Sequence, residues 1–320
     1  MYSVPCKGIL TSLSFMICTL NTSAFIVLTL LSSAHRYIRL IVNCFAHWIY
    51  RPIPKPSDPI FTCRDVTVII PTIESNVRSL EPSLRSVLAC NPYQLILVTT
   101  SDKYAALLDF TITLKDDRVK VYQTRIANKR LQLREAIPRV QSSITILVDD
   151  DVTWPKTALP WILAPFERPH IGSVGVCQKV RRITDGSFMT RCFNWLGADY
   201  IERRNFEISA THQMDGGTSC MSGRTNALRT EVLQDHQFLD DFCNEKWGTF
   251  HLNADDDNFV TRWLVNHGWS TYIQYHEECL IETTLENNTK FLKQCLRWAR
   301  SNWRSNWTSL VVERMVWTLV

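Results

Sequence analysis

The stretch Ile144-Thr145-Ile146-Leu147-Val148-Asp149-Asp150-Asp151 decides the fold of this chain. Its first five residues are apolar or β-branched, a pattern typical of a strand that is buried on both faces. Pro155 follows shortly afterwards, where we expect the first turn of a helix. The three acids are therefore predicted at the carboxyl end of a strand, which is where open α/β sheets bind their ligands.

Adjacent carboxylates repel one another and are costly to desolvate unless a cation compensates them. The acids 149–151 thus indicate either a divalent metal that carries a phosphorylated ligand or a solvated acidic turn. Two later segments favour the metal, namely Asp255-Asp256-Asp257 and Gln294-Cys295-Leu296-Arg297-Trp298. The second acidic cluster precedes an amphipathic helix, so N-terminal capping alone would also explain it.

The composition limits the class of protein. With 320 residues, 45% of them hydrophobic, the chain can bury one large core or two smaller ones. The formal net charge of +4 is mild and the basic residues are scattered, which argues against a nucleic-acid partner. The 11 cysteines form neither a Cys-x-x-Cys motif nor a Cys/His cluster, which argues against a disulfide framework and a zinc site. Buried, reduced thiols on the cytosolic side are the simplest explanation.

An uncharged, apolar stretch runs from Ile9 to Ala34 and is long enough to cross a bilayer. A signal peptide is the alternative, but no Ala-x-Ala cleavage pattern follows it. Basic residues are denser after the stretch than before it, which places the rest of the chain in the cytoplasm. We therefore predict an integral membrane protein of the plasma membrane or the Golgi/ER, with a transmembrane helix within residues 1–35.

Residues 36–60 are predicted to join this helix to the soluble part. Trp48 and Tyr50 suit an amphipathic segment in the headgroup layer of a lipid membrane. The proline-rich run 51–59 then forms a stiff, extended linker. We expect a soluble domain at 61–265 and a helical segment at 266–320 that ends in the beginning of a membrane region.

Strand and helix patterns alternate after the linker. We predict strands at 66–71, 94–100, 119–123 and 144–149, and helices at 83–90, 103–110 and 128–140. This rhythm is typical of a mostly parallel, Rossmann-like α/β sheet flanked by helices. Neither a Gly-x-Gly-x-x-Gly fingerprint nor a P-loop occurs, so a nucleotide site would be of another kind.

The second half carries three further signals. Residues 199–205 predict a polar helix, and the small residues 216–223 would allow a ligand to approach the backbone closely, although an ordinary turn explains them too. Residues 290–307 predict a basic, tryptophan-rich amphipathic helix, for which a position on a membrane surface is an additional or alternative explanation.

These motifs occur in a recognisable order: Val66–Pro71, Asp149 with Asp151, Ser222-Gly223, Asp256-Asp257 and Gln294-x-x-Arg297-Trp298. The ordered set resembles the processive family 2 glycosyltransferases, which are the hyaluronan, chitin and cellulose synthases. Residues 291–301 are most similar to the hyaluronan synthases and to fungal polysaccharide synthases. The resemblance covers about residues 66–307 and implies a GT-A fold.

The resemblance implies a UDP-sugar donor, a glycan acceptor, and Mg²⁺ or Mn²⁺ as cofactor. Asp149 would contact the nucleotide and is also a candidate metal ligand, and Asp151 would ligate the metal on the diphosphate. Asp257, next to Asp256, would be the general base for direct attack by the acceptor, which inverts the anomeric configuration. Lys129 would lie near the nucleotide.

The Gln-x-x-Arg-Trp motif would complete the site. The resemblance implies that Arg297 binds the diphosphate, that Trp298 contacts the acceptor sugar, and that Gln294 orients the helix or binds the acceptor.

Two departures from the family pattern affect these expectations. The uridine-binding acidic pair after the second strand is replaced by Thr99-Thr100-Ser101-Asp102, so Thr72, Glu74 and a displaced Asp102 are the candidates for that role. Channel-forming membrane helices do not follow Val320, which predicts either a truncated product or a transferase that does not secrete a polymer.

Two alternatives compete with the transferase. The first is an inactive, membrane-bound relative that acts as a binding or partner subunit. The second is a metal-dependent phosphotransferase built on Asp149 and Asp151, which leaves the Gln-x-x-Arg-Trp motif unexplained.

Overall fold

The computed structural model describes the backbone of residues 7–317 and the side chains of residues 22–317. The chain divides into two units, helix α1 (Lys7–Ile49) and the residues from Tyr50 onward. Helix α1 is a single helix of 43 residues, so it continues through residue 35, where the sequence pattern puts a segment boundary.

One part of α1, Thr22–Ile49, is long and apolar enough to cross a membrane by length and composition, with a mean hydropathy of 1.4. The side chains of the predicted span that precede Thr22 lie outside the described residues.

The unit from Tyr50 onward alternates strands and helices. Its strands are β1 (Val66–Pro71), β2 (Gln94–Thr100), β3 (Val119–Thr124), β4 (Ile144–Val148), β5 (Ile171–Val176), β6 (Gln178–Val180), β7 (Thr225–Arg229), β8 (Lys246–Trp247), β9 (Phe250–His251), β10 (Ser270–Gln274) and β11 (Ile281–Thr283). Its α-helices are α2 (Glu81–Leu88), α3 (Tyr104–Leu114), α4 (Lys129–Ala136), α5 (Ala158–Leu163), α6 (Phe188–Asp215), α7 (Thr230–Leu233), α8 (His236–Asn244), α9 (Asp256–Asn266) and α10 (Lys290–Trp307).

A seven-stranded sheet forms the centre of this unit, in the order β10-β5-β7-β4-β1-β2-β3. Strands β4, β1, β2 and β3 are parallel to one another, and β10 is parallel to β5. Strand β7 lies between β4 and β5 and is antiparallel to both. The mostly parallel α/β sheet predicted from the sequence is confirmed, with β7 as an addition.

The sheet is buried on both faces. All residues of β1 and β4 are buried. Along β1 the side chains alternate between two cores, because Val68 and Ile70 pack in one cluster and Ile69 packs in the other. This is the burial that the apolar run before Asp149 predicts.

The predicted helix start at Pro155 is wrong. The Pro155 carbonyl accepts a hydrogen bond from the Ala158 amide at 3.0 Å, in a turn that precedes α5. The chain stays extended beyond the acids because Thr153 and Glu282 exchange two backbone hydrogen bonds, at 2.8 and 2.9 Å.

The predicted helix over 128–140 is too long. Helix α4 ends at Ala136 and continues as a 3₁₀ turn over Ile137–Arg139. Pro138 explains the change, since proline has no amide hydrogen for the helical ladder. By contrast, the bounds predicted for β2 and α10 are confirmed.

Candidate functional site

A cavity of about 360 Å³ lies at the carboxyl end of β4. It is bordered by the segments after β4 and β11, the starts of α4 and α9, the turn before β7, and parts of α6 and α10. The lining residues that matter for its chemistry are Lys129, Asp149, Asp151, Tyr200, Arg204, Cys220, Ser222, Gly223, Arg224, Asp255, Asp256, Asp257, Gln294, Arg297 and Trp298.

Most of the site residues predicted from the sequence meet at this cavity. They are Lys129, Asp149, Asp151, Asp256, Asp257, Gln294, Arg297 and Trp298. The acids after β4 and those at the start of α9 are more than a hundred positions apart in the chain, and the fold brings them to one wall.

Three predicted residues do not line this cavity. Thr72 donates its hydroxyl to Asp150 Oδ2 at 2.5 Å. Glu74 lines a neighbouring cavity of about 300 Å³, together with Asp150 and Asp151. Asp102 is exposed in the turn after β2, and hydrogen bonding to Thr100 holds the pKa of its carboxyl below the ordinary value.

Lys129 joins the two groups of acids. Asn128 caps α4 by accepting the amides of Arg130 and Leu131, so Lys129 occupies the first position of the helix. The Lys129 Nζ lies 2.8 Å from Asp149 Oδ1 and 2.9 Å from Asp256 Oδ2. Burial opposes the charge, but the two carboxylates outweigh it and hold the pKa of Lys129 above its ordinary value. Lys129 is therefore an ammonium ion that bridges both clusters.

The three acids after β4 have different surroundings. Asp151 Oδ2 accepts from the Thr283 hydroxyl at 3.0 Å, and from the amide and hydroxyl of Thr284 at 3.2 and 2.9 Å. These donors fix the direction of the Asp151 carboxylate. Asp150 turns away to Thr72, and burial raises the pKa of its carboxyl. Asp149 and Asp151 thus line the cavity, and Asp150 does not.

The pKa values of the two neighbouring acids at the start of α9 are shifted in opposite directions. Burial, reinforced by the negative charge of Asp256, raises the pKa of Asp257 against the opposing effects of Lys129 and Arg204. Burial also disfavours the ionised form of Asp256, but the ion pair with Lys129 outweighs it and lowers the pKa of Asp256. A pair of carboxyls separated in this way suits one permanent anion and one proton acceptor.

Gly223 is the close-approach residue of the turn before β7. A Cβ atom at this position would lie 3.3 Å from Lys129 Nζ and 3.5 Å from Asp257 Cβ. A side chain here would crowd the ammonium between the two acidic clusters, which accounts for glycine at this place.

Aromatic and amide groups of α6 and α10 form another part of the cavity wall. The rings of Tyr200 and Trp298 are stacked, with centroids 5.2 Å apart and planes at 26°. The Arg224 guanidinium lies 5.3 Å from the centroid of the Trp298 ring. Gln294 Oε1 is buried and has no hydrogen-bond partner in the part of the chain that the structure describes.

Comparison with known proteins identifies the family. Residues 64–301 match the family model described as glycosyltransferase like family 2. The chain belongs to this family. A type 2 glycosyltransferase of Gibberella zeae is 65% identical over 283 residues, covering 88% of this chain and 54% of its own length. Hyaluronan synthase 2 of Bos taurus is 25% identical over 171 residues, covering 53% of this chain and 29% of its own.

The fold has a counterpart among solved structures. The mannosyltransferase PcManGT from Pyrobaculum calidifontis, in complex with GDP-Man and Mn²⁺, superimposes with a TM-score of 0.59 at 18% identity. The match covers 84% of this chain and 71% of the mannosyltransferase. The GT-A fold and the family predicted from the motifs are therefore confirmed, and the chain spans little more than half of the Gibberella relative.

Sequence reasoning missed three residues of this family 2 site. Tyr200 and Arg204 lie four positions apart on α6, a spacing that puts them on one helix face, but the segment is predicted only as a polar helix. Arg204 donates from Nη2 to the Cys220 carbonyl at 3.1 Å. Arg224 directly follows Ser222-Gly223, and this adjacency to a motif is the signal that could have identified it.

The donor set around the cavity fits a cation that arrives with a phosphorylated ligand. Among the described residues, no three His, Cys, Asp or Glu side chains are grouped so as to hold a metal by themselves. Asp149 and Asp151 offer hard carboxylate oxygens, and Mg²⁺ is often held by one or two carboxylates together with substrate phosphates and water. The residues present therefore suit a shared metal–diphosphate site.

Proposed function

We propose that this family 2 protein is a membrane-anchored, metal-dependent, inverting glycosyltransferase that transfers a sugar from a UDP-sugar to a glycan acceptor. The observation that carries the proposal is the convergence of Asp149, Asp151 and Asp257 on one cavity, with Lys129 bridging the two clusters. An acidic turn or a helix cap alone would not need this convergence.

The donor would lie along the ends of the parallel strands. Asp149 contacts the nucleotide in this proposal, while Asp151 holds Mg²⁺ or Mn²⁺ on the diphosphate. When bound, this metal neutralises charge on the leaving diphosphate. Strands β1 and β2 pair directly with each other. Thr72 and Glu74 follow β1, and Asp102 follows β2. We assign the nucleoside end of the donor to the carboxyl ends of these two strands.

UDP is proposed over other nucleotides because the motifs resemble those of hyaluronan synthases. The mannosyltransferase PcManGT is in complex with GDP-Man and Mn²⁺, which supports a nucleotide sugar and a divalent cation as a class.

The proposed reaction is a single displacement. The acceptor hydroxyl oxygen attacks the anomeric carbon, and the bond from that carbon to the diphosphate oxygen breaks. The hydroxyl proton passes to the Asp257 carboxylate, and UDP leaves with the bonding electron pair. Because its pKa is raised, Asp257 is a stronger base than an ordinary aspartate, whereas Asp256 stays ionised beside Lys129. Arg297 binds the diphosphate with a planar fork of donors.

The acceptor would occupy the wall formed by α6 and α10. Trp298, stacked on Tyr200, offers an aromatic surface to a sugar ring. Gln294 Oε1 has no partner among the described residues, so it could accept a hydrogen bond from a hydroxyl of the acceptor sugar. Helix α1 would anchor the protein, with the catalytic unit in the cytoplasm because the basic residues follow the span.

The test is UDP release by the full chain in detergent, incubated with UDP-GlcNAc or UDP-glucose, Mn²⁺ and glycan acceptors. Asp257→Asn should reduce the release at least about 100-fold while UDP binding persists. Asp240→Asn, at a side chain that is 72% exposed, is the matched control and should match wild type.

The other outcomes discriminate between the proposed function and its alternatives. Equal release by wild type and Asp257→Asn would overturn the assignment of Asp257. Metal-dependent UDP binding without turnover would favour the binding-subunit alternative, and transfer of phosphate instead of sugar would favour the phosphotransferase. Absence of UDP binding to wild type would refute the proposed function.

A further inference from the structure

Three arginines that line the cavity have no acidic partner among the described residues. In the part of the chain with described side chains, no Asp or Glu oxygen lies within 4.0 Å of the guanidinium nitrogens of Arg204, Arg224 or Arg297. The proposed function assigns only Arg297 to the diphosphate. A guanidinium without an acidic partner is costly to bury unless an anion compensates its charge, so Arg204 and Arg224 require an explanation.

Arg224 is held firmly from its backbone. Its carbonyl accepts the Asp149 amide at 3.2 Å, which extends the antiparallel pairing of β4 and β7 by one step. Its own amide donates to Ser222 Oγ at 3.4 Å. The residue therefore lies beside the first acid that follows β4 and lines the same cavity.

The side chain is held as well. Arg224 Nη1 donates to Gln178 Oε1 at 3.1 Å. Gln178 is buried and fixed by Asn205, which accepts its amide at 3.1 Å and donates to its carbonyl at 2.6 Å. The guanidinium also lies 5.3 Å from the Trp298 ring centroid, at cation–π distance. Arg224 is thus a preorganised fork and not a mobile surface arginine.

The position of Arg224 distinguishes it from Arg204. The acids that act most strongly on Arg224 are Asp149 and Asp151, although burial outweighs them and lowers its pKa. Arg204 instead donates to the Cys220 carbonyl and acts on Asp257. Arg224 therefore lies beside the acids that are assigned to the donor. It also contacts Trp298, the residue that is assigned to the acceptor, so it lies between the two groups.

We propose that Arg224 binds the sugar-linked phosphate of the donor's diphosphate, as a second arginine beside Arg297. This inference rests on the proposed function. The sugar-linked phosphate lies between the metal-holding acids and the acceptor wall, which is the interval that Arg224 occupies. A planar fork with charge-assisted hydrogen bonds suits a phosphate that gains negative charge as the glycosidic bond breaks.

The experiment is calorimetric titration of the full chain, in detergent with excess Mn²⁺, using UDP and UMP as separate probes. Arg224→Gln should weaken UDP binding about ten- to a hundredfold, as expected for a charge-assisted hydrogen bond, and change UMP binding by less than about threefold. Arg224→Lys should lose less UDP affinity, because an ammonium keeps the charge without the fork. Arg203→Gln, whose side chain is 58% exposed and outside the cavity, is the control.

The outcomes separate this inference from the function on which it rests. Unchanged UDP affinity in Arg224→Gln, with wild type binding UDP, would overturn the inference and leave the function standing. Equal losses for UDP and UMP would overturn the assignment to the sugar-linked phosphate. Absence of UDP binding by wild type would refute the function itself. If Arg224→Gln does not fold, Arg224→Lys decides. A UDP affinity of Arg224→Lys equal to that of wild type would refute the requirement for a planar guanidinium fork.

Discussion

Lys129 offers the sharpest test of the electrostatic arrangement. Its ammonium lies 2.8 Å from Asp149 Oδ1 and 2.9 Å from Asp256 Oδ2. At an effective dielectric constant of about 20, each contact corresponds to a Coulomb attraction of about 6 kcal/mol. Desolvation offsets most of this, and solvent screens the first pair because the Asp149 side chain is 35% exposed. For Lys129→Gln we therefore expect a loss of about 3 kcal/mol in the free energy of unfolding, the low end for a broken buried pair.

The same substitution should change the pH dependence of catalysis. The Lys129 charge lowers the pKa of both Asp256 and Asp257, so its removal should raise the pKa of both carboxyls. The proposed base Asp257 could accept a proton only when it is deprotonated, so we expect kcat/KM to fall as pH drops through its pKa. The acid limb of the profile should consequently move to higher pH in Lys129→Gln.

The assay is kcat/KM for UDP release between about pH 4.5 and 8, with urea unfolding measured in parallel. Lys120→Gln, on the exposed side of β3, is the matched control and should leave both the profile and the unfolding free energy unchanged. An acid limb that stays in place or moves to lower pH would refute the reasoning, even if the variant were less stable.

Asp257→Asn should raise the thermal midpoint of the ligand-free protein by about 2 °C, because the raised pKa of Asp257 means that folding favours its neutral form. Asp256→Asn should lower the midpoint by a similar amount, because the lowered pKa of Asp256 means that folding favours its ionised form. Calorimetric shifts of the same sign in the two variants would contradict this expectation. Trp298→Leu should raise the acceptor KM about tenfold and the donor KM by less than about threefold, because Arg224 loses only its contact with the ring and keeps Gln178; initial rates with each substrate varied measure both. Asp255→Asn should lower the unfolding free energy by about 3 kcal/mol in urea, because Arg304 loses a buried partner.

The parts of the fold that the sequence predicts well are those with strong local patterns. Strands β1, β2 and β4 are continuous β-branched or apolar runs, and such runs hold their form when both faces are buried. Helix α10 has a clear amphipathic period over its full length. The acidic and Gln-x-x-Arg-Trp motifs indicate the family, and the family supplies the expectation that they converge.

The features that escape prediction depend on contacts distant in the chain. Pro155 stays outside a helix because Thr153 pairs with a strand more than a hundred residues later. Thr72 is a candidate nucleotide ligand by its place after β1, yet its hydroxyl is bonded to Asp150. Arg224 has only its adjacency to Ser222-Gly223 as a local signal, because the orientation of its side chain depends on Gln178 and on the Trp298 ring.

The turn that carries the proposed base depends on contacts with helix α10, which carries the Gln-x-x-Arg-Trp motif. Asp255 has φ +66°, a left-handed conformation that costs a residue other than glycine on the order of 1 kcal/mol or more. Its carboxylate is bonded to the Ser301 hydroxyl and paired with Arg304, both on α10. These contacts offset the strain, so the direction in which Asp257 points depends on where α10 lies. A displacement of α10 would therefore move the proposed base and Trp298 together, so under the proposed function an acceptor bound against α10 would also stabilise the turn that holds Asp257.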